Sequence, residues 1–595
     1  MSRFPVMVGV ALVMVGGASA VGCAQQASGV FTVEYGELPM DAFDDDCDTI
    51  PAPTCLLQSH VRAEPFVVPN VQGDVPNVQG NVPTIMFLPF LAPLASTAVM
   101  VVAVLLAARS FAAASADDRS TGAAVSTVLN FVLLLEHLTY TLVVPCTYSL
   151  ALALGMSTRF SGLLIGIHMA GVGVGGVLMW SLSRLCPAFW RRGRSLTIAA
   201  AACNVAGAAA FLAVSMGLEL GALASGPAQR AAAPALALAR LVDGLGTGVV
   251  ISLSMTSIPH IFPREDRVTW VANNAFAAIL GMGLGPVIAA AIAAADLLPL
   301  GPDHLTPIGI SYLGASAAGA WLAALHLPAT LRHAEDFEGT EPPGEERPSP
   351  DPSPCNVAGL LRKPRGTRKC SLNQVMVLSC GLVGACLRGL VTAGLQSATT
   401  FLLERNYGWS RNGAGLAIGA GFLCCIPAKC VFSKLEGALS HMAWLRTFTW
   451  AAVLGAAMLH TDIADLLGVR ADVMLLASGA VLFPALNMGD AVMTGVLYSR
   501  FLLPRGSWCD ANCLQLYRCI VLSLVGRGLG PVVARATAAE KGHNFVAVEI
   551  LACVAAFLVL FEFVFKPCAE DGTVPSDADR DPKLAAKIRR YSALK

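Results

Sequence analysis

From Ile85 onward the chain is a succession of hydrophobic stretches, each long enough to cross a lipid bilayer. A helix needs roughly 20 apolar residues to span the hydrocarbon core. Candidate spans lie near residues 85–108, 125–148, 161–183, 195–217, 233–256, 270–294, 307–327, 375–402, 412–432, 442–460, 473–497, 514–537 and 545–565. Backbone polar groups in lipid must be satisfied within the protein, which leaves only helices or closed barrels. With 56 Gly and only 7% aromatic residues, the spans favour a close-packed helical bundle. Charged residues make up 13% of the chain and mean hydropathy is +0.63, which excludes a soluble enzyme and a disordered chain. Lys+Arg and Asp+Glu both number 40, so no net field points to a nucleic-acid partner.

The expected fold is an all-α polytopic membrane protein: a twelve-helix bundle of two six-helix halves, preceded by one extra transmembrane helix and a signal-like segment. Residues 1–22 combine Arg3, the apolar run Val6–Val15 and a small-residue end, as in a signal peptide or signal anchor. A secretory-pathway membrane follows: plasma membrane, vacuole or a lysosome-like compartment. Residues 23–84 form a polar extracytoplasmic spacer with a seven-residue duplication, Val68–Asp74 and Val75–Asn81. Residues 85–108 are the extra span. The halves run over 121–329 and 375–566. Between them, residues 330–374 are acidic and Pro-rich and then basic, as in a disordered cytoplasmic linker. Residues 567–595 form a cytoplasmic tail. Lys and Arg concentrate in alternate loops, at Arg184, Arg191–Arg194, Lys429, Lys434, Arg446, Arg500 and Arg505, and in the tail. That bias places both ends of the twelve-helix unit in the cytoplasm. Most of the 18 cysteines sit in apolar runs as packing residues. Cys23, Cys47 and Cys55 fall in the spacer, where a disulfide is permitted.

Two motifs recur at nearly the same separation in the chain. Gly281-Met-Gly283-Leu-Gly285-Pro286-Val287 returns as Gly526-Arg527-Gly528-Leu-Gly530-Pro531-Val532. Gly155 to Gly166, at the junction of the first two spans of the twelve, returns as Gly408 to Gly419. Such pairs are the trace of two parallel six-helix repeats with substrate bound between them. Gly281, Gly285, Pro286, Gly526, Gly530 and Pro531 are expected to act as hinge and packing positions.

These features resemble the major facilitator superfamily of secondary transporters. Arg240-Leu-Val-Asp243-Gly244-Leu-Gly246-Thr-Gly248 is similar to that family's Arg/Gly-rich motif, and Gly281–Pro286 to its Gly-x-x-x-Gly-Pro motif. The loop after the second span keeps the basic end of the family signature (Arg191–Arg194), with Ser183 and Arg184 where an acidic residue is usual. A narrower resemblance is to the SPX-linked vacuolar phosphate transporters and their lysosomal relatives. It rests on Val144-Pro145-Cys-Thr147-Tyr148-Ser-Leu150, Tyr407-Gly-Trp409-Ser410 and Pro504-Arg-Gly506-Ser. Where that group has an Arg-rich stretch, this chain has Ser252–Ser257.

Ionisable residues inside a span face a partner or a wet cavity. Glu136, His137, Arg240 and Asp243 are the proton-coupling candidates. Arg388, Gln396, Asp490 and Arg527 are the substrate-binding candidates, a guanidinium being a planar, permanently charged fork for an anion. Asn487 and His168 are further possibilities. The expected activity is secondary active transport of a small solute, an anion among the possibilities, by alternating access with proton coupling. The alternative is a non-transporting membrane receptor or scaffold on the same fold. No His-rich metal box, nucleophile elbow or phosphate-binding loop is present, so neither an enzyme nor a cofactor is expected. The partners are then the bilayer and a small molecule or ion, without nucleic acid, for a chain expected to be monomeric.

Overall fold

The computed structural model describes residues 122–186, 192–220, 223, 226–294, 305–327, 372–435, 438–503 and 508–571. The signal-like start, the duplicated spacer, the early span 85–108, most of the linker and the tail lie outside them.

The described chain is helical. The N-terminal half comprises α1 (Gly122–Leu142), α2 (Thr158–Leu185), α3 (Gly193–Glu219), α4 (Gly226–Ile261), α5 (Arg267–Ala294) and α6 (Leu305–His326). The C-terminal half comprises α7 (Leu372–Arg405), α8 (Arg411–Leu423, continued as Cys425–Leu435), α9 (His441–Ala457), α10 (Ala471–Val496), α11 (Ala511–Arg518, continued as Cys519–Arg527 and Gly528–Glu540) and α12 (His543–Leu560). Eleven of these are long and apolar enough to cross a membrane. The remaining one, α9, has 17 residues, about 26 Å at 1.5 Å per residue and still near the thickness of the hydrocarbon core.

The repeat seen in the sequence is a repeat of structure. Gly155 and Gly408 both turn the chain with φ of 66°, in the left-handed region where glycine is unstrained. Two residues later Ser157 and Ser410, both extended, precede α2 and α8. The Gly-Pro motifs seat α5 on α1 and α11 on α7 in the same way. A Cβ at Gly285 would lie 2.6 Å from the Leu138 carbonyl oxygen, and one at Gly530 would lie 2.6 Å from that of Leu390. Gly281 meets the Leu134 carbonyl as Gly526 meets that of Cys386. The offset that maps Leu134 onto Cys386 and Leu138 onto Leu390 also maps Glu136 onto Arg388. The two halves thus hold opposite charges at equivalent places.

The two repeated motifs also pack against each other across the halves. Gly162 and Gly166 of α2 meet the carbonyls of Pro531 and Gly528 of α11. Gly415 and Gly419 of α8 meet those of Pro286 and Gly283 of α5. Added Cβ atoms would approach to 2.7 Å at Gly162 and Gly419. The α2–α11 seam continues through Gly176 against Cys519, and α5 reaches α10 at Val268 against Gly495. Contact at both ends of these seams closes the bundle on both faces.

Gly166→Val and Gly419→Val should therefore each hold the halves apart and cut solute flux in reconstituted vesicles more than tenfold. Gly479→Ala, whose new Cβ finds its nearest neighbour at an ordinary 3.5 Å, should leave flux near the unmodified level.

Candidate functional site

Glycine contact between α2 and α4 shapes the N-terminal half of the site. Gly171 and Gly175 lie on the Leu241 and Leu245 carbonyls, while Gly244 and Gly248 lie on those of His168 and Val172. This close approach brings His168 Nδ1 within 2.6 Å of Asp243 Oδ2. Asp243 also takes Arg240 at 3.3 Å, three residues back on the same helix face. The Arg240 guanidinium donates to the Tyr312 hydroxyl at 3.0 Å and to the Tyr140 carbonyl at 3.0 Å. It lies 5.7 Å from the Tyr312 ring centroid and 6.0 Å from that of Tyr140, and Tyr140 stacks on His168. Arg240 and Asp243 are buried.

Glu136 of α1 faces the same cluster, and among the described residues it has no cation of its own. Its carboxylate accepts from Thr247 at 2.9 Å and from the Asn204 amide. Both donors are neutral, and the side chain is buried. His137 lies within electrostatic reach of His168 in this cluster and of Arg527, while its Nδ1 pairs with the Leu133 carbonyl of its own helix at 3.0 Å. The structure thus joins Glu136, Arg240 and Asp243. Asn204, Thr247 and Tyr312 complete the group, although nothing but their polarity within apolar spans marks them in the sequence.

In the C-terminal half the excess charge is positive. Asp490 of α10 pairs with Arg518 of α11 at 2.9 Å, and Arg518 also donates to Thr494. Arg388 is buried with its guanidinium 4.0 Å from the Phe557 ring centroid. One of its terminal nitrogens, Nη1, has no hydrogen-bond partner among the described residues. Arg527 likewise leaves Nε without a partner. It lies within electrostatic reach of Asp490 and Arg518 in its own half and of His137 and Tyr140 across the interface. Gln396 is buried on α7, its Nε2 also without a partner among the described residues. Asn487 bonds the Phe483 carbonyl of its own helix.

The backbone of α11 explains how two of its arginines share one carboxylate region. Nine residues of α-helix make about 2.5 turns, which would set Arg518 and Arg527 on opposite faces. Cys519–Arg527 instead forms a π-helix, whose i→i+5 bonds put more residues in each turn. The wider turn brings Arg527 around toward Asp490. Arg518 is a candidate only once this π segment is known, and hydrophobic periodicity gives no sign of it.

Polar contacts across the halves mark both faces. On the side assigned to the cytoplasm by the basic loops, Arg184 of α2 pairs with Asp510 at 3.1 Å, and Arg267 of α5 donates to the Tyr498 carbonyl at 3.2 Å. Asp510 also caps α11, accepting from Cys513 N at 2.9 Å. On the opposite side Arg159 pairs with Glu540, and Arg535 donates to Ser161.

Two structural repeats of long apolar helices with charged side chains buried between them define a two-half helical membrane protein. The Major Facilitator Superfamily profile matches residues 127–501, and the chain belongs to that family of membrane transporters. The human organic anion transporter MFSD10 (TETRAN) has a similar structure, with 18% sequence identity and a TM-score of 0.50 over 75% of this chain and 99% of that one. The proton:xylose symporter XylE bound to 6-bromo-6-deoxy-D-glucose is similar at 17% identity and a TM-score of 0.53, over 74% and 95% of the two chains. XylE from E. coli in a partially occluded inward-open conformation gives 17% and 0.51, over 74% and 99%. No curated protein matches the chain.

Removing one partner of a buried pair strands the other charge, at a cost of about 3–5 kcal/mol. Asp243→Asn should therefore lower the melting temperature of the purified protein sharply, and adding Arg240→Gln should recover part of the loss. At the α2–α11 seam, Asp510→Asn loses the ion pair with Arg184 and keeps an N-cap. Asp510→Ala loses both, and should be less stable than the Asn variant by about 1 kcal/mol in chemical unfolding.

Proposed function

We propose that the chain carries a small oxyanion together with a proton, by rocking of the two halves about the glycine-lined seams. The observation that carries this reading is the opposite charge imbalance of the two halves. The N-terminal cluster holds two carboxylates, Glu136 and Asp243, against one guanidinium, Arg240. The C-terminal cluster holds three guanidiniums, Arg388, Arg518 and Arg527, against one carboxylate among the described residues, Asp490. A proton would neutralise the first and a divalent anion the second.

The roles follow from the partners. Asp243 already has Arg240 and His168, so Glu136, held among the described residues by neutral donors alone, is the proton site. Asp490 already has Arg518, so Arg527 and Arg388 keep donor capacity for the anion. Of these, Arg527 faces the partner half and is the primary contact. Gln396 and Asp490 shape the site rather than supply its charge. With both ligands bound the buried charge is smallest, and so is the desolvation cost of closing the bundle around it. Anion and proton would then move in the same direction. The resemblance of the loop motifs to the vacuolar phosphate group and the fold shared with an organic anion transporter agree with an oxyanion substrate without choosing one.

In proteoliposomes offered sulfate, inorganic phosphate or succinate, an inward proton gradient should drive uptake of at least one. Glu136→Gln should abolish the dependence on the gradient while the protein stays folded, and Arg527→Gln should raise KM at least tenfold. Gradient-driven uptake that is undiminished in Glu136→Gln would remove that residue from the mechanism.

A further inference from the structure

Arg535 of α11 differs from the paired arginines in the company it keeps. Arg240 and Arg518 each have a carboxylate at ion-pair distance, at 3.3 and 2.9 Å. Arg535 is only 1% exposed, yet its hydrogen-bond partners among the described residues are all neutral. Its Nε donates to Ser397 Oγ at 2.8 Å and to the Ser397 carbonyl at 3.3 Å, its Nη2 to Thr400 at 3.3 Å, and its Nη1 to Ser161. Glu404, four residues beyond Thr400 on α7, lies within electrostatic reach and forms no ion pair with it. A permanent cation held inside the membrane by hydroxyls and a carbonyl is expensive for stability alone. Such partners are also the easiest for an oxyanion to displace, because an anionic acceptor adds to the hydrogen bond a charge–charge attraction that a hydroxyl or carbonyl lacks, and can engage the planar fork at two points.

The arrangement also ties Arg535 to opening. Ser397 and Thr400 belong to α7, in the same half as Arg535, and Ser161 belongs to α2 in the other half. Parting α2 from α11 on the extracytoplasmic side takes Ser161 away and leaves Nη1 facing the new opening. From there Arg527 is eight residues deeper along α11, about 12 Å. We infer that Arg535 is a capture station for the incoming oxyanion at the extracytoplasmic mouth, which passes it on to Arg527. The seam contact with Ser161 keeps the station occupied when the mouth is closed. This inference rests on the oxyanion reading and adds a second binding position to it.

The test uses the full chain in proteoliposomes with sulfate, inorganic phosphate and succinate as probes. Unmodified protein is compared with Arg535→Gln, Arg535→Lys and Ser161→Ala, each first checked for folding by its melting temperature. For whichever probe is carried, Arg535→Gln should raise KM at least tenfold with the saturated rate changed less than threefold. Arg535→Lys, which keeps the charge, should fold as the unmodified protein does and recover most of the affinity. Ser161→Ala should leave KM within twofold, because it removes only the closing contact. Unchanged KM in a folded Arg535→Gln variant, while the unmodified protein carries a probe, overturns the station alone. A loss of saturated rate shared equally by Arg535→Gln and Ser161→Ala, with no change in KM, makes Arg535 a strut and also overturns it. Transport of none of the probes by the unmodified protein overturns the oxyanion reading, and the station with it.

Discussion

An ionised side chain at mid-membrane has no water to fall back on, so each one must be answered by a partner or by a ligand. In this protein the answer is unequal. Asp243 is held by Arg240 and His168, and Asp490 by Arg518. Among the described residues Glu136 has only amide and hydroxyl donors, and Arg388 and Arg527 keep nitrogens without partners. The unanswered charges have opposite sign in the two halves. Glu136 and Arg388 even occupy equivalent positions of the repeat, so the asymmetry is built on a symmetric frame.

Glycine makes that frame possible. Where α2 meets α4, the absence of side chains at Gly171, Gly175, Gly244 and Gly248 lets the backbones approach until His168 reaches Asp243. Where the halves meet, glycines of one repeated motif lie on carbonyls of the other. Smooth backbone-to-backbone seams of this kind can part and re-form without unthreading interlocked side chains. The ion pair and hydrogen bond at the seam ends, Arg184 with Asp510 and Arg535 with Ser161, would on the proposed rocking fix where closure occurs.

Much of this was legible in the sequence. Twelve helices, eleven of them long and apolar enough to cross a membrane, their division into halves, the internal repeat and the family followed from hydropathy and from the glycine motifs. Glu136, Arg240, Asp243, Arg388, Asp490 and Arg527 stood out as charges in apolar helices. What escaped was of two kinds. Asn204, Thr247, Tyr312 and Ser161 are ordinary residues of membrane helices, and only packing turns them toward a charge. Arg518 and Arg535 were visible as charges, but their roles depend on the π segment of α11 and on which helices face them. His137, adjacent to Glu136 in sequence, bonds the backbone of its own helix, because neighbours on a helix point in different directions.

The central claim is that opposite charge imbalances in the two halves couple one anion to one proton. The most direct measurement is accumulation of labelled sulfate, phosphate or succinate by vesicles holding the unmodified protein, under an imposed proton gradient with the membrane potential clamped at zero. Concentration of at least one of these anions above its external level, collapsing when the gradient is dissipated, is the expected result. Accumulation that ignores the proton gradient, or transport confined to neutral or cationic solutes, would contradict it.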